Sequence, residues 1–295
     1  MNSQEMTTKI ETGEGFISAL DQSGGSTPKA LLGYGVTESD YSGDEEMFAK
    51  IHEMRTRVVT SPSFNGDKVL GAILFERTMD GDAGGMPVPE LLKSRGVVPF
   101  LKVDKGLEDE ADGVQMMKPM PDLDALLERG KAKGVFGTKM RSVINSASAS
   151  GIAAIVKQQF DVGKQILAHG LMPIIEPEYN IKSADRAEGE TILRDEIAKQ
   201  LDALPSGTKV MLKLSLPVEA NLYKPLVDHP NTARVVALSG GFARKEACEH
   251  LAANEGMIAS FSRALLEELR AQMDDSDFDA SLATAIEEIR CASAT

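Results

Sequence analysis

The sequence predicts an α/β protein, a (β/α)8 barrel of the TIM type, in a single domain over residues 1–295. Three observations carry that expectation. Eight short runs rich in Val, Ile, Leu and Phe recur along the chain, mostly without alternation of apolar and polar residues, as strands covered on both faces do. Stretches with apolar residues at helical spacing lie between them. No low-complexity linker, short repeat or composition shift marks a boundary, and barrels of this length are ordinary as one domain.

In order, the apolar runs occupy residues 15–21, 69–76, 97–104, 135–141, 172–178, 209–216, 234–239 and 258–261. Between the first two, Met47, Ile51, Met54 and Val58 recur at helical spacing. Ile152, Ile155, Val156 and Phe160 follow the fourth run, and Ile192, Ile197 and Leu201 the fifth. Phe278, Leu282, Ala285, Ile286 and Ile289 form a last amphipathic helix with its charges on the other side. Strand then helix, eight times over, describes a closed parallel barrel. The competing doubly wound sheet usually carries a Gly-rich phosphate turn after its first strand, but Asp21-Gln22-Ser23-Gly24-Gly25-Ser26 lacks the G-x-G-x-x-G spacing and no Walker-type loop occurs.

Composition bounds the function. The chain is 42% apolar and 26% charged, values of a folded globular protein rather than a disordered or fibrous one. Its formal charge of −13, with no basic cluster denser than pairs such as Arg55 and Arg57, excludes a nucleic-acid or anionic-membrane partner. That sign does not forbid an anionic substrate in a cleft where a few cations converge. Cys248 and Cys291 are too few and too far apart in sequence for a disulfide framework or a zinc site. No segment has the roughly 18 apolar residues of a membrane span, and residues 1–10 lack a signal-type apolar core. The expectation is a cytoplasmic protein.

In a barrel the reactive residues sit at the C-terminal ends of the strands, and polar groups gather there. Asp21 ends the first run; Lys102 and Asp104 lie in the third, Lys139 and Arg141 in the fourth, Glu176 and Glu178 in the fifth, Lys213 in the sixth, Ser239 in the seventh and Ser260 in the eighth, with Arg263 just after. Side chains two apart on a strand share a face, so Lys139 pairs with Arg141 and Glu176 with Glu178. Any one of them alone reads as a strand-end residue reaching water; the set reads as a site.

Lys213 is the sharpest signal, an ammonium within Val210-Met211-Leu212-Lys213-Leu214. Burying it unpaired is costly. Either a carboxylate such as Glu176 pairs with it, or it loses its proton and becomes an amine nucleophile capable of a Schiff base. Ser239-Gly240-Gly241, between a buried run and a helical pattern, suits a phosphate held by backbone N–H groups, as does the loop carrying Ser260 and Arg263. Ser23, Gly24, Gly25 and Ser26 form a second such loop. Two phosphate sites flanking a lysine suit a bisphosphorylated sugar. His52, His169, His229 and His250 show no metal-binding spacing, so neither a metal nor another cofactor is expected, and the 14 methionines read as core filling.

The residues resemble a family, the class I fructose-bisphosphate aldolases, and within it the compact bacterial branch. The likeness covers nearly the whole chain. Its anchors are G-F-I-S-A-L-D-Q-S-G-G-S at 15–26, L-K-V-D-K-G at 101–106, G-T-K-M-R at 137–141, I-I-E-P-E at 174–178, L-K-L at 212–214, L-S-G-G at 238–241 and S-F-S-R-A-L at 260–265. The resemblance implies that Lys213 forms the Schiff base with the substrate ketone, that Asp21 takes the proton from the C4 hydroxyl, and that Glu176 handles protons in forming and dehydrating the carbinolamine. It implies that Glu178 pairs with the lysines, and that Lys139 polarises substrate hydroxyls and depresses the nucleophile's pKa, with Arg141 beside it. Lys102 and Ser26 match positions near the distal phosphate; Ser239, Gly240, Gly241, Ser260 and Arg263 match the cradle on the dihydroxyacetone side.

The pattern departs from the family in three places. The chain ends Arg290-Cys291-Ala292-Ser293-Ala294-Thr295, where vertebrate-type enzymes end in a tyrosine that assists proton exchange. Ala30 follows Lys29 where the family often has Arg, and Met140 replaces a Trp. Family habit implies a homo-oligomer. Two other functions stay open at this point: an aldolase acting on a different phosphosugar, as transaldolase-like enzymes do, and a sugar-phosphate binder that uses the loops without the amine.

Overall fold

Each of the eight runs forms a strand: β1 Phe16–Leu20, β2 Val69–Leu74, β3 Val98–Lys102, β4 Gly137–Ile144, β5 Met172–Tyr179, β6 Val210–Ser215, β7 Thr232–Leu238 and β8 Ile258–Ala259. The computed structural model describes residues 1–295. Neighbours in sequence pair in parallel from β1 to β8, and Ala19 N–H donates to Phe261 O at 3.0 Å across the closing seam. The expected (β/α)8 barrel is what forms.

Twelve helices accompany the strands. Before β2 come α1 Ser3–Thr12, α2 Ser26–Gly33 and α3 Gly43–Thr60, and before β4 come α4 Glu76–Asp80, α5 Val88–Ser94 and α6 Leu123–Ala132. The rest are α7 Ala149–Ala168, α8 Arg186–Asp202, α9 Lys224–Val227, α10 Arg244–Ala252, α11 Arg263–Leu266 and α12 Asp275–Ala292. The helical patterns of α3, α7 and α12 bury the residues their spacing selects. In α8 the ladder starts at Leu193 instead of Ile192, which stays half-buried. Leu193, Ile197 and Leu201 repeat every four residues, so they share one stripe and Ile192 lies off it.

α1, which no periodic pattern in the sequence announces, closes the N-terminal end of the barrel. Asn2 and Glu5 cap its start reciprocally, and Met6 and Ile10 insert among Ile17, Leu70, Phe100, Phe136 and Met211 inside the barrel. Arg234 ties down its exit by donating to Ile10 O and Gly13 O, both at 2.9 Å. Arg55 corrects the picture of Arg55 and Arg57 as a surface pair. It is 1% exposed and donates to Thr78 Oγ1 at 2.8 Å and Gln22 O at 2.5 Å. Burial lowers its pKa to about 10 against the opposing pull of Asp21.

At the opposite end, residues 105–118 fold back as an irregular hairpin, with Leu107 opposite Met117 and Val114–Gln115 antiparallel to the end of β4. At its tip Asp112 accepts from the Ser148 and Ser150 hydroxyls, both at 2.6 Å, which pins it to the start of α7. That hairpin walls one side of a cavity over the strand ends.

Candidate active site

Strand register sets the site. Lys102 lies opposite Lys139 and, two residues further along, Arg141 lies opposite Glu176, so the inward positions of β3, β4 and β5 carry charges in successive rows at the C-terminal end. Lys139 Nζ lies 2.6 Å from Asp21 Oδ2 and 3.0 Å from Glu176 Oε2, and Glu176 Oε1 lies 3.0 Å from Lys213 Nζ. All four side chains are a tenth exposed or less. The result is one ionic chain, Asp21–Lys139–Glu176–Lys213, across the top of the lumen.

A second layer of pairs surrounds it. Arg141 is ion-paired to Glu178, and Lys102 Nζ donates to Asp104 Oδ1 at 2.7 Å and Asp104 O at 2.8 Å. Asp104 Oδ2 in turn accepts the Arg141 backbone N–H at 3.1 Å. Burial would push the Asp21 carboxyl up, but the Lys139 ammonium, with Lys213 and Lys102 behind it, holds it well below the usual carboxylate range. Burial opposes the charge on Lys139, yet Asp21, Glu176 and Asp104 together hold its pKa well above that of an ordinary lysine. Lys139 is therefore a fixed cation. Glu176 Oε2 has no aligned hydrogen-bond partner.

These groups line a cavity of about 550 Å³ that also takes in Ser26, Ser239, Gly240, Ser260 and Arg263. Of the expected residues Gly24 and Gly241 stand outside, Gly241 on a neighbouring cavity of about 380 Å³ that shares Gln22, Lys29, Ala30 and Arg263 with the first. Ser260 Oγ is buried without a partner. Gly240 and Gly241 have φ of +60° and +116°, and a Cβ on Gly240 would sit 2.6 Å from Ile181 Cγ2, so glycine is required there. Their N–H groups take no protein acceptor. Ser26 starts α2, and its hydroxyl bonds Ser23 O at 2.8 Å and Ser23 N–H at 3.0 Å, closing the first loop.

Six cations line the cavity with four carboxylates, in a protein of formal charge −13. Lys29 and Arg263 are the two of the six that make no ion pair, and both border the shared wall. Those features favour an anionic ligand over a neutral one. Lys29, Gln22, whose Nε2 donates to Ser262 Oγ at 2.6 Å, and Ser262 itself contribute without a role expected from the sequence. Asp104, expected among the strand-end charges but given no role, lines the cavity as the partner of Lys102.

The departures fall unevenly about this cavity. Met140 packs on the outer face of β4 among the helices, away from the lumen, whereas Ala30 lines both cavities. Thr295 O accepts from Gly256 N–H at 2.9 Å, which places it near the start of β8, at the barrel end opposite the site. The histidines lie elsewhere: His52 contacts Asp82 O, His169 and His229 contact Asp124 and Asp202, and His250 stacks on Phe242.

A parallel barrel with a buried lysine–carboxylate chain in a cavity at its C-terminal rim defines the class of fold and the place of the candidate site. The family follows from comparison: residues 4–212 match the model of fructose-bisphosphate aldolase class-I, and the chain belongs to that family. Among solved structures, Plasmodium falciparum fructose-bisphosphate aldolase, in complex with TRAP and a small-molecule inhibitor, is similar at 19% identity with a TM-score of 0.77. That match covers 99% of this chain and 94% of the other. Cgl0159 from Corynebacterium glutamicum is similar at 14% identity and a TM-score of 0.56, over 98% of this chain and 92% of its own. No helix is long and apolar enough to cross a membrane.

Proposed function

We propose that the protein is a Schiff-base fructose-bisphosphate aldolase, cleaving fructose 1,6-bisphosphate reversibly into dihydroxyacetone phosphate and glyceraldehyde 3-phosphate without a metal. The observation that carries this reading is the ionic chain ending at Lys213, whose amine is buried at the cavity floor with Glu176 as its 3.0 Å neighbour.

Lys213 passes a proton to Glu176 and attacks the C2 carbonyl. Glu176 returns a proton to the carbinolamine hydroxyl, water leaves, and an iminium remains. The position of Glu176, with one oxygen 3.0 Å from each of two ammonium groups, suits that traffic. Asp21 accepts the C4 hydroxyl proton as the C3–C4 bond breaks, and the bonding pair moves into the iminium to give an enamine. Glyceraldehyde 3-phosphate departs, the proton that Asp21 took is returned through solvent to C3 of the enamine, and water hydrolyses the imine to release dihydroxyacetone phosphate. At rest Asp21, held by Lys139, is a weak base. Its basicity rises when substrate hydroxyls take over that ammonium's hydrogen bonds.

Arg263, the Ser260 hydroxyl and the free N–H groups at Gly240 and Gly241 support a phosphate on the dihydroxyacetone side. Lys102, Ser26 and Lys29 support the distal phosphate, Lys102 by leaving Asp104, and Arg141 with Glu178 borders the space between. The free thiols Cys248 and Cys291 fit a reducing cytoplasm.

The test is mass mapping after mixing the protein with dihydroxyacetone phosphate and sodium borohydride, which reduces an imine to a stable amine. One adduct at Lys213 is expected, along with full activity in EDTA. A folded protein that binds phosphate but forms no adduct would instead be a sugar-phosphate binder, and Lys213 a structural ion-pair partner.

A further inference from the structure

A wholly buried amide lies behind the catalytic carboxylate and is not used by the chemistry above. Gln159, on α7, is 0% exposed. Its Nε2 donates to Ser142 Oγ at 2.8 Å and shares its other hydrogen between Met140 O and Glu176 O, both at 3.2 Å. Its Oε1 accepts the Glu176 N–H at 3.2 Å. One side chain thus holds both backbone groups of Glu176 and ties them to β4 beside Lys139. The helix comes close enough because Gly163 lies one turn further on, where a Cβ would sit 2.9 Å from Ile175 Cδ1.

A leucine or methionine would fill this apolar layer without the desolvation cost of an amide. What the amide adds is geometry at a weak point of the barrel. The β5–β6 ladder covers only Ile174 with Met211 and Ile175 with Leu212, so it stops just before Glu176 and Lys213, and Pro177 then supplies no N–H. Beyond that point β5 keeps its register with β4 as far as Tyr179, and side chains supply the remaining ties. Gln159 fastens Glu176 to Met140 and Ser142 of β4, and on the β6 side the Ser215 hydroxyl accepts from Tyr179 N–H at 3.0 Å and donates to Tyr179 O at 2.7 Å.

We propose that Gln159 is a positioning residue for proton transfer by Glu176, fixing the strand so that the carboxylate reaches Lys139 and Lys213 together. This rests on the reading of Glu176 given above. A displacement of about 1 Å at such a group costs on the order of 100-fold. Gln159→Leu is therefore expected to lower kcat roughly 10- to 100-fold and slow imine formation with dihydroxyacetone phosphate in parallel. KM and inhibition by inorganic phosphate should stay within about twofold, because no phosphate contact changes.

Gln159→Glu keeps the volume. Of the residues that hydrogen-bond Gln159, only Glu176 is ionisable; its carboxylate faces the lumen, where Lys139 and Lys213 lie 3.0 Å from it. Buried there, the new carboxyl is neutral at low pH and offers one donor and one acceptor. Its kcat should fall as pH rises and it ionises, over a range where the wild type stays flat, and this variant decides the matter if Gln159→Leu does not fold. Wild-type kcat and imine rates in either folded variant, or KM and phosphate inhibition weakening in step with kcat, would overturn the proposal in favour of plain packing. Absence of the Lys213 adduct in the wild type overturns the aldolase reading and this one together, whereas failure of the Gln159 variants alone leaves that adduct intact.

Discussion

The two ends of the barrel lumen use the same inward positions on the same strands and hold opposite chemistry. Along β1 and the residue after it the sequence runs Ile17, Ala19, Asp21; along β3 Val98, Phe100, Lys102; along β5 Ile174, Glu176; along β6 Met211, Lys213. The earlier member of each series packs with Met6 and Ile10 of the plug, and the later one joins the ionic layer. Two residues of strand separate hydrocarbon from ammonium. The difference shows that a buried charge is tolerated here by its neighbours' charges and not by depth, since Lys139 is as enclosed as many plug contacts.

The most drastic way to break that contrast is to exchange the two chemistries on β6. Lys213→Met should reduce turnover to background and lower the melting temperature modestly, because Asp21 and Glu176 then share the one ammonium of Lys139. Met211→Lys puts the same ammonium two residues earlier among Ile174, Ile17 and Val236, with no carboxylate to receive it. That costs several kcal/mol, enough to prevent folding. Melting curves and turnover of the two single variants check both arms; a stable Met211→Lys protein would mean the lower lumen admits water or ions.

The contrast also explains what the sequence discloses. The strands were legible because a parallel strand covered on both faces is apolar at every position, and the lumen charges because they interrupt that pattern at one end, as Lys213 does between Leu212 and Leu214. The groups behind them were not. Arg55 and Gln159 sit on helices, where a polar residue reads as solvated, and their partners Gln22, Thr78, Met140 and Glu176 lie 17 to 33 positions away. α1 escaped because only Met6 and Ile10 mark its buried side, too few for a periodic signal. The return hairpin at 105–118 escaped because its pairing is two isolated bridges and one two-residue strand.

A smaller effect separates stability from chemistry. Ile10→Ala removes side-chain volume from the closed end, where Arg234 holds the helix in place and prevents full collapse around the cavity. The expected loss is about 2–5 kcal/mol of unfolding free energy by urea titration. kcat and KM should be unchanged, because no plug residue touches the upper layer. A fall in kcat at a temperature where the variant is fully folded would show that the two ends are mechanically coupled.

The smallest predicted effect tests the ionic layer by pH. The Asp21 carboxyl has an ordinary pKa of 3.8 and a folded value depressed by Lys139, so the folded protein binds this proton less tightly than the unfolded chain. The ion pair's contribution is then complete above about pH 4 and is lost as pH falls from there toward the folded value. Lys139, raised above 10.5, behaves in the opposite sense, with its contribution intact below that value and lost as pH rises past it. Asp21→Asn removes the acid limb but leaves Lys139 its contact with Glu176. The wild type should therefore exceed Asp21→Asn in stability at neutral pH, and that margin should shrink as urea titrations move below about pH 4. A margin constant across that range would mean that Asp21 titrates alike in folded and unfolded chains, and that Lys139 neutralises it no better than water does.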